Sequence, residues 1–199
     1  MSSTTDTFKV LGVAGSTRGQ SYSTRALKIA LEHAKKQGAE VRLLELGKTE
    51  LPLYNPNAEA SKEVEQAAEA VAWANAIILA SPDFHGSMSG ALKNFLDHFY
   101  EEFAGKLFGY IVASHEKGLT VMDQMRTAVR QCYGWSMPYG VSINGPQDLT
   151  GGEIINTRLS KRLQMMSRDL VVYGKLINGQ FARDLGTSEQ DTFAAHYRP

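Results

Sequence analysis

The chain has 199 residues, of which 43% are apolar and 21% charged, with a formal net charge of zero. This composition is ordinary for one globular domain over residues 1–199, and it provides no field that would attract nucleic acid or an anionic membrane. The single cysteine, Cys132, excludes an intramolecular disulfide and a cysteine-rich zinc site.

No stretch approaches the roughly 18 apolar residues of a membrane span, and residues 1–9 lack the apolar run of a secretory signal. We therefore expect a cytoplasmic protein that has no metal site and no membrane or nucleic-acid partner. The polar residues 1–8 and a polar tail over about 178–199 are expected to be mobile.

Apolar runs alternate with amphipathic stretches along the whole chain. Strands are predicted over residues 10–14, 41–46, 76–80, 107–113 and 138–143. A first helix is predicted to end near residue 38. Four more are predicted over about 62–74, 92–99, 119–133 and 155–176. This alternation predicts a parallel sheet with helices on both faces.

Five such strands favour a flavodoxin-like, doubly wound α/β fold with strand order 2-1-3-4-5 over a six-stranded dinucleotide fold. In that fold the ligand lies at the carboxyl ends of the strands, beside the topological switch point. The polar loops after strands one, three and four are therefore expected to converge on one site.

The loop after the first strand is rich in hydroxyl groups and precedes a helix. Its candidate ligands for an anion are Ser16, Thr17, Arg18, Ser21, Ser23 and Thr24. A helix N-terminus adds unpaired amide groups and a partial positive charge. A Walker A lysine is absent, and the spacing of Gly12, Gly15 and Gly19 does not fit the dinucleotide fingerprint. The pattern favours a monophosphate, although serine and threonine also cap helices without binding any ligand.

The loop after the third strand begins at Pro82 and opens at Gly86, with Phe84 and His85 between them. A planar ring system could lie against this segment and accept hydrogen bonds from its peptide groups. The alternative is a simple helix entry in which Phe84 belongs to the core.

Residues 15–18 with Ser21 and Ser23, followed by residues 81–97, resemble the NADPH-dependent FMN reductase family. The more specific part is the run from Pro82 through Gly86 to Leu92-Lys93-Asn94, and the similarity covers about residues 10–143. The resemblance implies an FMN flavoprotein of flavodoxin-like fold that works as a homodimer or homotetramer.

The resemblance also implies roles for single residues. The first loop would bind the FMN phosphate through Ser16, Arg18, Ser21, Tyr22 and Ser23, with Thr17 as a further hydroxyl donor. The second loop would cradle the isoalloxazine through Pro82, Asp83, Phe84, His85 and Gly86. Ser114, with His115 and Lys117, would lie by the pyrimidine end, where residues 114–118 are poorer in glycine than is usual for the family.

The implied chemistry is transfer of hydride from NADPH or NADH to flavin N5, and of electrons onward to a small molecule. Free flavin, a quinone, an azo compound, a nitroaromatic or a metal oxyanion would all be compatible acceptors. No catalytic acid or base is required, and Lys117 is a candidate only for stabilising the reduced flavin.

Other classes of protein remain open. A flavodoxin-like electron carrier shares the fold, although such carriers are usually strongly acidic. A non-enzymatic FMN-binding module would also fit. A low-molecular-weight phosphatase would need a cysteine in the first loop, whereas Cys132 lies in a helical pattern. The apolar helix over 92–99 predicts either burial in the monomer or, as we favour, a subunit interface.

Overall fold

A parallel sheet forms the centre of the computed structural model, which describes residues 7–151 and 153–198. Its strands are β1 (Lys9–Ala14), β2 (Glu40–Glu45), β3 (Ala76–Pro82), β4 (Leu107–Ala113), β5 (Trp135–Ser136) and β6 (Val141–Ile143). The strand order is β2-β1-β3-β4-β5, and β6 also pairs with β4. The order confirms the predicted flavodoxin-like fold, whose switch point lies between β1 and β3.

The fifth position of the sheet is shared by two short strands. Trp135 of β5 pairs with Leu107 at the start of β4, whereas β6 pairs with the last three residues of β4. Between them Met137 still donates its amide to the Phe108 carbonyl, at 2.8 Å. The prediction of one strand over 138–143 is therefore correct only for its second half, because Pro138 has no amide to donate.

Helices cover both faces of the sheet, as predicted. They are α1 (Tyr22–Lys36), α2 (Lys62–Trp73), α3 (Gly90–Asp97), α4 (Leu119–Gln131), the short α5 (Gly145–Asp148) and α6 (Thr157–Leu185). Helices α1 and α6 share one core cluster with the sheet, and α2, α3 and α4 share the other. Two further short strands, β7 (Leu149–Thr150) and β8 (Glu153–Ile154), form an antiparallel pair before α6.

The C-terminal part of the chain is more regular than its sequence indicates. Helix α6 continues past Leu176 to Leu185, and a 3-10 turn follows over Phe193–Tyr197. Arg198 closes this segment by donating its Nη2 to the Asp184 carbonyl, at 2.7 Å. The predicted helix end near residue 176 is therefore nine residues too early, whereas the mobility expected of the polar tail stays a prediction, and residue 199 lies outside the described range.

The predicted mobile N-terminal segment is only partly described. Residues 1–6 lie outside the described residues, whereas Phe8 is buried, and a Cβ on Gly174 of α6 would lie 2.6 Å from its Cζ. Within the ranges that the structure covers, no helix is both long enough and apolar enough to cross a membrane.

The apolar face of α3 belongs to the chain's own core. Leu92 and Phe95 are fully buried, Leu96 is nearly so, and so is Phe99 just after the helix. The first alternative for this helix, burial in the monomer, is therefore the one that the structure shows. Its apolar side chains are not available to form a subunit interface.

Candidate functional site

A cleft of about 790 Å³ lies at the carboxyl edge of the sheet, where β1, β3 and β4 end. It is lined by Ser16, Arg18, Gln20, Ser21, Tyr22, Arg25, Pro82, Asp83, Phe84, His85, Gly86, Ala113, Ser114, His115, Glu116, Gly145 and Pro146. The three loops that the sequence predicts to converge do so. A fourth segment, at Gly145 and Pro146, joins them.

The N-terminus of α1 is open towards this cleft. Ser21 occupies the N-cap position but makes no capping hydrogen bond, because its hydroxyl lies 2.9 Å from the Ser23 hydroxyl. By contrast, Ser61 and Ser89 cap α2 and α3 by accepting from the Val64 and Leu92 amides. The first-turn amides of α1 therefore keep their capacity to bind an anion.

The first loop is held firmly against the second. Gly15 donates its amide to the Ala80 carbonyl at 2.8 Å, and its own carbonyl accepts from the Ser89 hydroxyl at 2.5 Å. A side chain at Gly15 would place its Cβ 2.8 Å from the Leu92 Cβ, so only glycine fits there. This close approach fixes the first loop to the N-terminus of α3.

Positive charge at the first loop comes from two arginines. Arg18 lines the cleft as predicted, and Arg25, one turn into α1, lines it as well. Arg25 donates to the Gln20 side chain at 2.5 Å, and Gln20 has a left-handed backbone with φ of 63°. Sequence reasoning missed both residues. Gln20 lies in the loop but carries neither a hydroxyl nor a charge, and Arg25 is brought towards the loop only by the first turn of α1.

The second loop contains a tight reversal. Phe84 and Ser87 exchange both backbone hydrogen bonds, at 3.0 and 3.1 Å, around His85 and Gly86. Both central residues have positive φ, 57° and 77°, as a type I′ turn requires. Phe84 is 53% exposed, so the alternative that it belongs to the core is wrong.

Gln124 of α4 fixes the second loop without lining the cleft. Its Oε1 accepts from the Ser87 hydroxyl at 2.9 Å and from the Met88 amide at 3.1 Å, and its Nε2 donates to the Gly86 carbonyl. The sequence offers no local signal for this role, since Gln124 lies 36 positions beyond Met88.

The second and third loops are joined by one carboxylate. Asp83 accepts from the Ser114 hydroxyl at 2.8 Å through one oxygen and from the Gly86 amide at 2.8 Å through the other. The third loop is also held from behind, because Asn144 donates its side-chain amide to the His115 carbonyl at 3.0 Å. Asp83 is thus a structural link between loops as well as part of the cleft wall.

The fourth segment lies beside the start of α1. A Cβ on Gly145 would lie 2.4 Å from two ring carbons of Tyr22, so the Tyr22 ring lies directly against this glycine. Asp148 fixes the segment by accepting from the Asn144 amide and from the Asn156 side chain, both at 2.7 Å. Sequence reasoning missed Gly145 and Pro146 because they follow β6, a strand that the pattern locates only approximately.

Four residues singled out from the sequence do not line the cleft. Thr17 and Thr24 line a neighbouring small cavity, and Thr17 also lines another one beside Leu46. Ser23 is fully buried and reaches the site only through Ser21. Lys117 is exposed and absent from the lining, where Glu116 takes its place. In the described part of the chain, no cluster of histidine, cysteine or acidic side chains is placed to hold a metal ion.

The fold has many solved counterparts. One is the flavoenzyme NAD(P)H:(acceptor) oxidoreductase FerB from Paracoccus denitrificans, with a TM-score of 0.68 and 18% identity over 85% of this chain and 98% of that one. At this level of identity the likeness defines the class of fold. The chain is a flavodoxin-like α/β protein with a cleft at the switch point.

The family follows from the sequence comparison. The model of NADPH-dependent FMN reductase matches residues 8–147. The chain therefore belongs to the NADPH-dependent FMN reductase family, as its loops predict. FMN is the cofactor of this family and NADPH its electron donor, which confirms the predicted cofactors.

Two curated relatives are similar over part of their length. An NAD(P)H-dependent FMN reductase of Pseudomonas aeruginosa is 36% identical over 46% of this chain and 50% of its own length. An NADPH azoreductase of a Bacillus species is 33% identical over 53% of this chain and 62% of its own. The chain thus spans between half and two thirds of the length of these relatives.

Proposed function

We propose that this chain is an FMN-dependent oxidoreductase that takes hydride from NADPH or NADH and reduces a small-molecule acceptor. One observation carries the proposal. An uncapped helix N-terminus and a loop with an exposed aromatic ring meet in a single cleft of about 790 Å³. Ligand sites are typically clefts of about 300–1,000 Å³ with a few well-placed polar groups, so the cleft has the size for one nucleotide cofactor.

The donors of the first loop suit a phosphate dianion. Ser16, Arg18 and Ser21 line the cleft beside the open N-terminus of α1, where hydroxyl, guanidinium and amide donors meet the positive end of the helix dipole. Ser23 acts indirectly by orienting the Ser21 hydroxyl. We assign these groups to the FMN phosphate, and Tyr22, which lies against Gly145, to the neighbouring ribityl chain.

The second loop suits the isoalloxazine. The type I′ turn places His85 and Gly86 in the wall of the cleft, and the exposed Phe84 ring offers a flat apolar surface beside them. Both oxygens of the Asp83 carboxylate already accept hydrogen bonds, from Ser114 and from Gly86. We therefore assign Asp83 the role of holding the second and third loops together. The remaining predicted contacts of this region are Pro82, Ser114 and His115.

Bound FMN supplies the hydride acceptance and electron transfer, and the protein supplies binding, orientation and exclusion of water. Helix α4 begins directly after the third loop without a side-chain cap, so the positive end of its dipole lies there. We assign the stabilisation of negative charge to this helix end and to the loop amides. Lys117, which does not line the cleft, is the weaker candidate.

The acceptor is a small molecule that stacks over the cofactor. The relatives named FMN reductase and azoreductase support free flavin and azo compounds, and an open cleft also accommodates quinones, nitroaromatics or metal oxyanions. We further propose that the protein acts in the cytoplasm as a homodimer or homotetramer.

The competing proposals are an electron carrier and a non-enzymatic FMN-binding module. The net charge of zero disfavours a carrier, since an acidic surface is what usually steers such proteins to their partners. Anaerobic assays separate the three. An oxidoreductase bleaches its bound FMN when NADPH is added and is reoxidised repeatedly by an azo dye or by free flavin. FMN that binds but is not bleached by NADPH or NADH would refute the proposal.

A further inference from the structure

A second concave surface lies at the opposite edge of the sheet. It has a volume of about 610 Å³ and is lined by Asp123, Arg126, Thr127, Arg130, Tyr133, Gly134, Trp135, Ser136 and Phe193. Trp135 pairs with Leu107 at the beginning of β4, whereas the cofactor cleft is lined by Ala113 at its end. The seven residues of β4 lie between these two places, a span of about 20 Å at the usual rise. We call this surface the aromatic groove.

The aromatic wall of the groove is preorganised. Tyr133 has a left-handed backbone with φ of 62°, a conformation that a bulky residue adopts only when its surroundings impose it. Its ring centre lies 5.4 Å from that of Tyr100 and 5.6 Å from that of Phe193, and its hydroxyl lies 3.1 Å from the Tyr100 hydroxyl. The C-terminal turn that carries Phe193 is anchored by Arg198. The wall therefore needs little ordering to receive a ligand.

Three aromatic side chains in the groove remain partly uncovered by the rest of the chain. Trp135 is 53% exposed although its amide donates to the Lys106 carbonyl at 2.9 Å, Phe193 is 43% exposed and Tyr133 is 39% exposed. Exposed aromatic rings on a rigid backbone are typical of binding surfaces, because they supply contact area at little entropic cost.

The two arginines of the groove differ in whether they form an ion pair. Arg126 is committed to Asp123 at 3.2 Å, and its guanidinium lies 5.8 Å from the centre of the Tyr110 ring. Arg130, one helical turn further along α4, is exposed and forms no ion pair with any residue that the structure describes. The groove thus presents one uncompensated guanidinium next to flat apolar rings.

We propose that the aromatic groove binds a planar aromatic monoanion, such as an aryl carboxylate or sulfonate. Its ring lies against Trp135 and Phe193, and its anionic group pairs with Arg130. The volume suits a small molecule of one to three rings, within the usual range for ligand pockets. The single uncompensated charge complements a monoanion rather than an extended polyanion. The groove shares no lining residue with the cofactor cleft, so this inference does not depend on the proposed function.

The test is calorimetric titration of the full chain with 2-naphthoate and with the neutral 2-naphthamide, both in saturating FMN so that the cofactor cleft is filled. We expect one naphthoate per chain, bound at least about tenfold more tightly than the amide, because a charge-assisted contact is lost in the amide. Arg130→Gln should abolish this preference, and Trp135→Leu should weaken both ligands.

The matched control is Arg158→Gln, which removes an exposed arginine of α6 outside the groove and should leave both affinities unchanged. Absence of saturable binding, or a preference for naphthoate that survives Arg130→Gln, would overturn the proposal. So would an affinity that falls as the protein concentration rises, since that result would mean that a second copy of the chain covers the groove.

Discussion

Ser21 shows that a serine at the N-cap position of a helix does not always cap it. Its sequence position is that of an N-cap, like that of Ser61, yet its hydroxyl turns to Ser23 and leaves the α1 amides open. The sequence does not distinguish these two cases, because the difference depends on a side-chain rotation and not on residue type.

The two serines should therefore respond differently to removal of the hydroxyl. Ser21→Ala is expected to weaken FMN binding by about tenfold, with little change in the free energy of unfolding of the cofactor-free protein. Ser61→Ala is expected to cost about 1 kcal/mol of stability, as cap removal does, and to leave FMN affinity unchanged. Flavin titration and urea unfolding of both variants measure the two effects. An unchanged FMN affinity in Ser21→Ala would remove this residue from the phosphate site.

Tyr110 provides a prediction about alkaline pH. It is buried in β4, and burial raises its pKa from 10.0 to about 12, while its hydroxyl contacts the Ser136 hydroxyl. Since ionisation is harder in the folded state, this stabilisation is complete below pH 10 and is lost as the pH rises towards 12. By pH 11 the wild type should lose about 1.4 kcal/mol relative to Tyr110→Phe.

The measurement is urea unfolding of both proteins at pH 9 and pH 11. The common titration of other tyrosines and of lysines cancels in the difference between wild type and variant. A difference in stability that does not change between the two pH values would show that the Tyr110 hydroxyl ionises as readily in the folded protein as in the unfolded chain.

Among the helices and strands, the sequence patterns that correctly predict an element are those that depend on one local property. The continuous apolar runs of β1, β3 and β4 identify strands buried on both faces, and Ser61 marks the start of α2. The extension of α6 to Leu185 is missed because its last turns are polar and are fixed by Phe181 and Arg198, which act through tertiary contacts.

The residues of the candidate site, like the helices and strands, were predictable where they carry a local signal. The first and second loops carry their own local signals, and most of their predicted residues line the cleft. Gln124, Gly145 and Asp148 contribute through long-range hydrogen bonds and close packing that no spacing rule encodes. What the sequence misses is thus the scaffold that holds the loops together.

Gly118, where the third loop enters α4, tests the rigidity of that junction. Its φ is 58°, and an added Cβ would lie 2.5 Å from the Val112 Cγ1. Gly118→Ala should therefore destabilise the protein by about 1–3 kcal/mol, from backbone strain and from the clash. Gly90→Ala, in the first turn of α3 with open space around it, is the matched control and should be neutral or slightly stabilising. Thermal unfolding that ranks the two variants equally would contradict the assigned backbone conformation.

At the scale of the whole molecule, the subunit arrangement remains a prediction. The apolar face of α3 is buried within the chain, so an interface has to use other surfaces. Exposed large apolar side chains that are available for it include Leu53, Leu119, Ile155, Tyr173 and Leu176. Light scattering during gel filtration should give two or four times the mass of the chain. A monomer at micromolar concentration would refute the prediction.

The cleft is proposed to bind FMN by its phosphate at the first loop. The most direct measurement compares FMN with riboflavin, which lacks the phosphate, by flavin titration of the cofactor-free wild type and of Arg18→Gln. We expect FMN to bind the wild type at least about 100-fold more tightly than riboflavin, because several charge-assisted hydrogen bonds depend on the phosphate. Arg18→Gln should lose much of this preference and leave riboflavin affinity unchanged. Equal affinities of the wild type for the two flavins, or no affinity for either, would contradict the account.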